Sequence, residues 1–293
     1  MKYVILGSNG FLSNAIAAFC NAKGYEVDIY GLDEPQGVDY GKFVKINLMN
    51  EQIDIDAIAK AHIIIYAVGA GIQSNLQEGN DLIYTLNVSV PVSICNALRK
   101  TAFRGVFVTF GSFFEMGATS LRRPFTEEEI LFSTSDAPND YTVSKRMLSR
   151  FVSSYKPEFR HWHFYLPTIY GKGENPKRLI PYTVSAIQNG EELHFTSGEQ
   201  VRQYVHVSEI PRIIDVAMSS SMPTGIYNVP GKETLSVRQL VELIHSHYGK
   251  QIPQGCFGTA NRADTGMKYL ALDSTKLQGI INYQPQIAIT DTL

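Results

Sequence analysis

Tyr3-Val4-Ile5-Leu6-Gly7-Ser8-Asn9-Gly10-Phe11-Leu12-Ser13 decides how the rest of this chain is read. A short apolar run breaks at Gly7, a glycine turn follows, and the residues from Asn14 to Cys20 have helical composition. The order is strand, glycine turn, helix. In that context glycines let the backbone approach a pyrophosphate, whose charge rests on the unpaired N–H groups of the helix N-terminus. Gly7, Asn9, Gly10, Phe11 and Leu12 are therefore assigned to a dinucleotide. Ser13 stands where a third glycine is usual, which predicts slightly looser packing of helix on strand.

Working outward, Gly24 ends the helix and residues 25–30 read as a second strand. Further strands are expected at 42–46, 62–67, 105–110 and 163–167, with helices over 51–60, 80–100 and 141–155. Apolar β-branched runs alternating with helices mean βαβ units, so the class is α/β, with a doubly wound parallel sheet covered on both faces and right-handed crossovers. Beyond residue 170 the segments shorten and Gly and Pro separate them. Helices are expected there at 179–189, 208–219 and 235–248, and short strands at 194–195 and 201–207. The division is a dinucleotide-binding domain over 1–165 and a smaller C-terminal lobe over 166–293, some segments of which return to the first domain.

Composition excludes several classes. With 293 residues, 44% hydrophobic and 18% charged, the chain is an ordinary soluble globular sequence with room for a large core. A formal charge of -2 gives no reason to expect nucleic acid or an acidic membrane as partner. Three scattered cysteines, no CxxC and no clustered histidines argue against a disulfide framework or a metal site. The N-terminal apolar run is too short for a signal-peptide core and no uninterrupted membrane-length run follows it, so a reducing cytoplasm is the expected compartment.

The end of the second strand bears on which dinucleotide is bound, because an acidic residue there pairs with a ribose 2′-OH and an Arg with a 2′-phosphate. Gly31 occupies the usual acidic position, Asp33 and Glu34 follow, and no Arg or Lys occurs before Lys42. That balance favours NAD over NADP, with Asp33 at the ribose. Asn47, after the third strand, can bond the adenine or serve an ordinary turn. Ala67, closing the fourth strand, is also assigned to the cofactor.

Tyr141-Thr142-Val143-Ser144-Lys145 places a phenol and an ammonium at i, i+4. On a helix that spacing puts their Cβ atoms roughly 5–6 Å apart on one face. Ser112 ends the fifth strand, on the same sheet edge as the glycine turn. Hydroxyl, phenol and ammonium then converge on a carbonyl-reduction site. Ser112 polarises the oxygen and Tyr141 donates or accepts the proton. Lys145 lowers the phenol pKa from about 10 and can hold the ribose.

With these residues the chain resembles, nearly end to end, an extended short-chain dehydrogenase/reductase of the nucleotide-sugar epimerase/dehydratase kind. The resemblance rests on Gly7-x-x-Gly10-Phe11-Leu12, Asn87-Val88, Ser112, Tyr141/Lys145, Tyr170-Gly171 and the stretch Gly198 to Val207. It extends to Arg262 and Asp264 and to Asp273-Ser274-Thr275-Lys276-Leu277. It implies a Rossmann-type fold and a homodimer joined through the helices near 80–100 and 141–155. Arg202 and Arg262 would bind a nucleotide diphosphate, for which a guanidinium is the best bidentate partner. His206 reads as structural. Thr168 and Phe113 are assigned to the sugar.

The residues beside Ser112 separate the reactions of this family. Its 4,6-dehydratases carry an Asp-Glu pair after the catalytic Thr or Ser, whereas this chain has Phe113-Phe114, and aromatic rings transfer no proton. Glu115 reads as a solvated or helix-capping charge. No Cys–His pair suits a 3,5-epimerase. The segment 166–181 is similar to bacterial 4-ketoreductases, which implies NAD(P)H-dependent reduction of an NDP-4-keto-6-deoxyhexose feeding O-antigen synthesis. A 4-epimerase with tightly bound NAD is the alternative, and a catalytically inactive dinucleotide-binding sensor is the reading from another class.

Overall fold

The computed structural model describes residues 1–72, 77–260 and 267–293. Its strands are β1 (Lys2–Leu6), β2 (Glu26–Gly31), β3 (Lys42–Lys45), β4 (Ile63–Tyr66), β5 (Val106–Ser112), β6 (Arg160–Leu166), β7 (Thr168–Tyr170), β8 (Val201–His206), β9 (Gly225–Asn228), β10 (Glu233–Ser236) and β11 (Tyr269–Leu270). The helices are α1 (Phe11–Ala22), α2 (Ile55–Ile58), α3 (Asn80–Tyr84), α4 (Val90–Leu98), α5 (Glu127–Leu131), α6 (Asp140–Ser154), α7 (Leu179–Asn189), α8 (Glu209–Ser219), α9 (Val237–His247) and α10 (Thr275–Ile281).

Seven strands form a wholly parallel sheet in the order β3-β2-β1-β4-β5-β6-β9. Both faces are covered, which is why the strands read as continuous apolar runs and not as alternation. Ile5, Val27, Ile63 and Ile65 point into one core with Ile16 of α1 and Ile213 of α8. Val4, Leu6, Ile64 and Phe107 point into the other with Ile94 and Leu98 of α4. Each such fully buried side chain contributes about 1.5–3 kcal/mol by leaving water. The strand order reverses between β1 and β4, and ligands of open α/β sheets bind outside the strand ends at such a point.

The second sheet is centred on β8, which pairs antiparallel with β10 and parallel with β7 and β11. β9 comes from the second half of the chain yet closes the first sheet. At 194–195 the expected strand is reduced to a bridge from Phe195 to Phe257.

Two helices differ from expectation for local reasons. α2 begins only at Ile55 because the Asp54 side chain accepts the Ala57 N–H at 3.1 Å and caps it there. The helix expected over 80–100 runs from Asn80 to Leu98 but widens into a π turn at Thr85–Ser89. Pro91 has no N–H for the Asn87 carbonyl and its ring crowds that carbonyl, so a wider turn relieves the helix. This is the one described helix long and apolar enough to cross a bilayer, and its buried residues Ile94, Cys95 and Leu98 pack on the sheet.

Candidate active site

The cofactor turn is built by close approach. Gly7 has φ +115°, and a Cβ there would lie 3.3 Å from the Ala67 carbonyl carbon, so the turn folds against the end of β4. Gly10 is extended at the N-cap of α1, and the first turn of α1 carries no acidic side chain. The free N–H groups and unopposed helix dipole at this end suit a pyrophosphate. Phe11 and Leu12 open the helix, both half-buried. Ser13 does not loosen the packing, since it is buried and its hydroxyl donates to the Gly10 carbonyl at 2.9 Å.

The loop after β2 is tied to the same turn. Asn9 donates its carboxamide N–H to the Glu34 carbonyl at 3.1 Å and accepts the Gln36 N–H at 3.1 Å. Asp33 sits exposed on the loop so tied. Gly31 is glycine for a reason the sequence hides: a Cβ there would lie 2.3 Å from the Ser8 hydroxyl and 2.9 Å from the Ser8 nitrogen. The half-buried Asn47 spends its carboxamide oxygen on the Met49 N–H at 3.0 Å.

Ser112 ends β5 on that edge. Its hydroxyl accepts the Phe114 N–H at 3.2 Å and lies close enough to the Tyr141 phenol to draw its pKa down. Burial pushes the Tyr141 phenol up to about 12, against the pull of Ser112 and the Arg178 charge. Lys145 lies one turn along α6, its Nζ 5.8 Å from the Tyr141 ring centre and donating to the Phe110 carbonyl at 2.9 Å. Burial lowers the Lys145 ammonium to about 8, opposed by the Glu115 charge. Lys145 is not among the groups that lower the phenol pKa, and desolvation keeps Tyr141 protonated at pH 7. Asn87, wholly buried in the π turn, bonds both the N–H and the carbonyl of Ala70 and donates to Ser144 of α6 at 2.9 Å. It ties the loop after β4 to α6.

After Ser112 the chain takes a 3₁₀ turn, Phe113–Met116, which decides what faces the cleft. Phe113 is turned into the core, 1% exposed, and Phe114 lines the cleft instead. Glu115 does cap, as expected, but it is 0% exposed and not solvated. Thr168, Glu174, Arg178 and Arg202 share with Phe114 a cleft of about 760 Å³ between the lobes. Arg202 is nearly buried there, donating to its neighbour's carbonyl, Val201 O, at 2.8 Å. Arg262 and Asp264 lie outside the described residues. His206 bonds Ser208 at 2.8 Å and stacks edge-on against Tyr170, a structural place. Sequence reasoning passed over Glu174 and Arg178, although their positions just after Tyr170-Gly171 were a usable signal.

The model of the NAD-dependent epimerase/dehydratase family matches residues 3–229. The chain belongs to that family. It is 27% identical over 125 residues to a dTDP-glucose 4,6-dehydratase of Streptomyces griseus, covering 42% of this chain and 38% of that protein. It is 29% identical over 178 residues to the low-salt glycan biosynthesis protein Agl12 of Haloferax volcanii, covering 58% of this chain and 53% of that one. The matches thus span about half or less of those relatives. In fold it is similar to the UDP-glucose 4-epimerase of Thermotoga maritima with UDP-glucose, at TM-score 0.82 and 17% identity over 100% of this chain and 96% of that one. The dTDP-glucose 4,6-dehydratase of Bacillus anthracis in complex with NAD gives 0.80 and 18% over 100% and 94%. These two likenesses, at under 25% identity, show the shared parallel α/β fold.

Proposed function

We propose that the chain reduces the C4 keto group of a nucleoside-diphosphate 4-keto-6-deoxyhexose. The observation that carries this reading lies in the turn after Ser112, which gives the cleft Phe114 and no carboxyl of its own, because Phe113 and Glu115 are buried beneath it; the cleft's carboxyl, Glu174, comes from the loop after β7 and is engaged by Arg178. Eliminating water from a sugar needs an acid and a base at neighbouring carbons, whereas reduction needs one proton at one oxygen. The reduced nicotinamide supplies the hydride. Ser112 holds the carbonyl oxygen, the neutral Tyr141 phenol donates the proton, and the buried Lys145 ammonium steadies the negative charge left on the phenol. Arg202 reaches the diphosphate, and Phe114 gives an apolar wall for a C6 methyl.

The exposed Asp33 and Glu34, with no cation between Gly31 and Lys42, favour NAD over NADP. A 4-epimerase is the second reading. Asn9 ties residues 34–36 over the cofactor turn, a frame suited to a cofactor retained through many turnovers. Two measurements separate the readings: whether NAD stays bound through purification, and whether dTDP-4-keto-6-deoxyglucose oxidises added NADH or NADPH. A homodimer through the helices at 80–98 and α6 is part of the proposal, and α6 presents Val143 and Met147 to solvent one turn apart.

A further inference from the structure

The loop after β7 carries a carboxylate into the cleft. Gly171 at φ +142° and Gly173 at φ +92° turn the chain, and a Cβ on Gly173 would lie 3.9 Å from the Phe11 ring. Glu174 therefore sits where the substrate lobe meets the cofactor turn. Its side chain is 4% exposed, and Oε1 accepts from Arg178 Nε at 2.9 Å. Oε2 is buried and accepts from no group among the described residues. Both side chains line the cleft together with Phe114, which follows Ser112 by two residues. Burial pushes the Glu174 carboxyl up to about 7, with Arg178 and the Gly171 backbone drawing it partly back. A buried acceptor left without a donor is destabilising, so it is retained where something else fills the place.

We infer that Glu174 Oε2 accepts a hydrogen bond from a hydroxyl of the substrate's sugar and so selects a neutral hexose over a uronate. The inference rests on the reading that the cleft takes a nucleoside-diphosphate sugar. A hydroxyl satisfies Oε2 without bringing charge. Above about pH 7, where Glu174 is ionised and the titration is run, a uronate carboxylate would face it as a like charge, while the Nε of Arg178 is already engaged by Oε1. Glu174 thus acts on which sugar is held and not on the proton, which Tyr141 supplies.

The test is calorimetric titration of the full chain saturated with NAD. UDP, dTDP, CDP and GDP are compared first, and the tightest is then followed as its glucose and glucuronate conjugates. Wild type is expected to prefer the glucose conjugate by about tenfold or more, a difference near 1.4 kcal/mol. Glu174→Gln keeps an acceptor for Arg178 and offers an amide N–H to a carboxylate. It is expected to bring the two conjugates to near-equal affinity with the free nucleoside diphosphate unchanged, and Glu174→Ala moves the ratio in the same direction. An unchanged ratio in both variants, or equal weakening of the free nucleoside diphosphate and its conjugates, overturns the inference alone. Failure of wild type to bind any nucleoside diphosphate or conjugate overturns the proposed function and this inference together.

Discussion

The buried carboxyl of Glu115 accepts the backbone N–H of Ser112 at 2.8 Å and so fixes Ser112 from beneath the sheet edge. Its other oxygen takes the Ser149 hydroxyl at 2.5 Å, and Ser149 continues to His163 at 3.0 Å. Glu115→Ala strands the Ser112 N–H, while the Ser149 hydroxyl keeps His163, and is expected to cost about 1–3 kcal/mol for the orphaned group. Glu115→Gln keeps an acceptor for Ser112 and costs less.

The same pair gives a pH prediction. Glu115 would ionise near 4.5 in an open chain, and burial raises it to about 7 in the fold. Between those values the folded protein holds a proton that the unfolded chain has released. The stability this supplies is complete below about pH 4.5 and is lost as pH rises through 7. Wild type should therefore lose more stability than Glu115→Gln between pH 4.5 and 7.5, read from denaturant midpoints. Equal losses would contradict it. Lys145, lowered from 10.5 to about 8, acts in a separate window, where stability rises with pH.

Gly31→Ala tests the cofactor turn. The added methyl must displace Ser8, whose hydroxyl would stand 2.3 Å away. Overpacking of this kind costs about 1–3 kcal/mol. NAD affinity, measured by fluorescence quenching, is expected to fall by about tenfold, with partial recovery in Gly31→Ala/Ser8→Gly. An unchanged affinity in the single variant would separate Ser8 from cofactor binding.

Much of this architecture is legible in the sequence, because strand, glycine turn and helix each leave a composition that packing then enforces. Tyr141 and Lys145 are legible by spacing, and Ser112 by its place at a strand end. What stays hidden is direction. Nothing in Phe113-Phe114-Glu115 tells which ring faces the cleft, since the 3₁₀ turn rotates each side chain by about 120° from the last. β9 is hidden as well, because its pairing with β6 joins residues separated by a whole lobe. The need for glycine at 31 lies in Ser8, far away in sequence and touching in space.

Arg202→Met removes the guanidinium while keeping its length. A charged hydrogen bond to a phosphate contributes about 1.5–3 kcal/mol, so affinity for the nucleoside diphosphate is expected to fall about 10- to 100-fold while NAD affinity holds. Loss of both would mark Arg202 as a folding residue.

Met147 is 48% exposed and Val143 36% on one face of α6. Met147→Glu places a charge at the centre of that face and is expected to convert a dimer to a monomer in sedimentation velocity. A dimer that survives the change would place the seam elsewhere.

The central claim is one hydride and one proton at one sugar carbon, with Tyr141 as donor. The direct measurement is oxidation of NADH or NADPH, followed by absorbance, when the purified protein meets dTDP-4-keto-6-deoxyglucose and its CDP, UDP and GDP counterparts. Wild type is expected to oxidise the cofactor in step with the sugar. Tyr141→Phe should bind cofactor normally and turn over about 10²- to 10⁴-fold more slowly. Oxidation of neither cofactor with any 4-keto sugar, or full activity in Tyr141→Phe, would contradict the account.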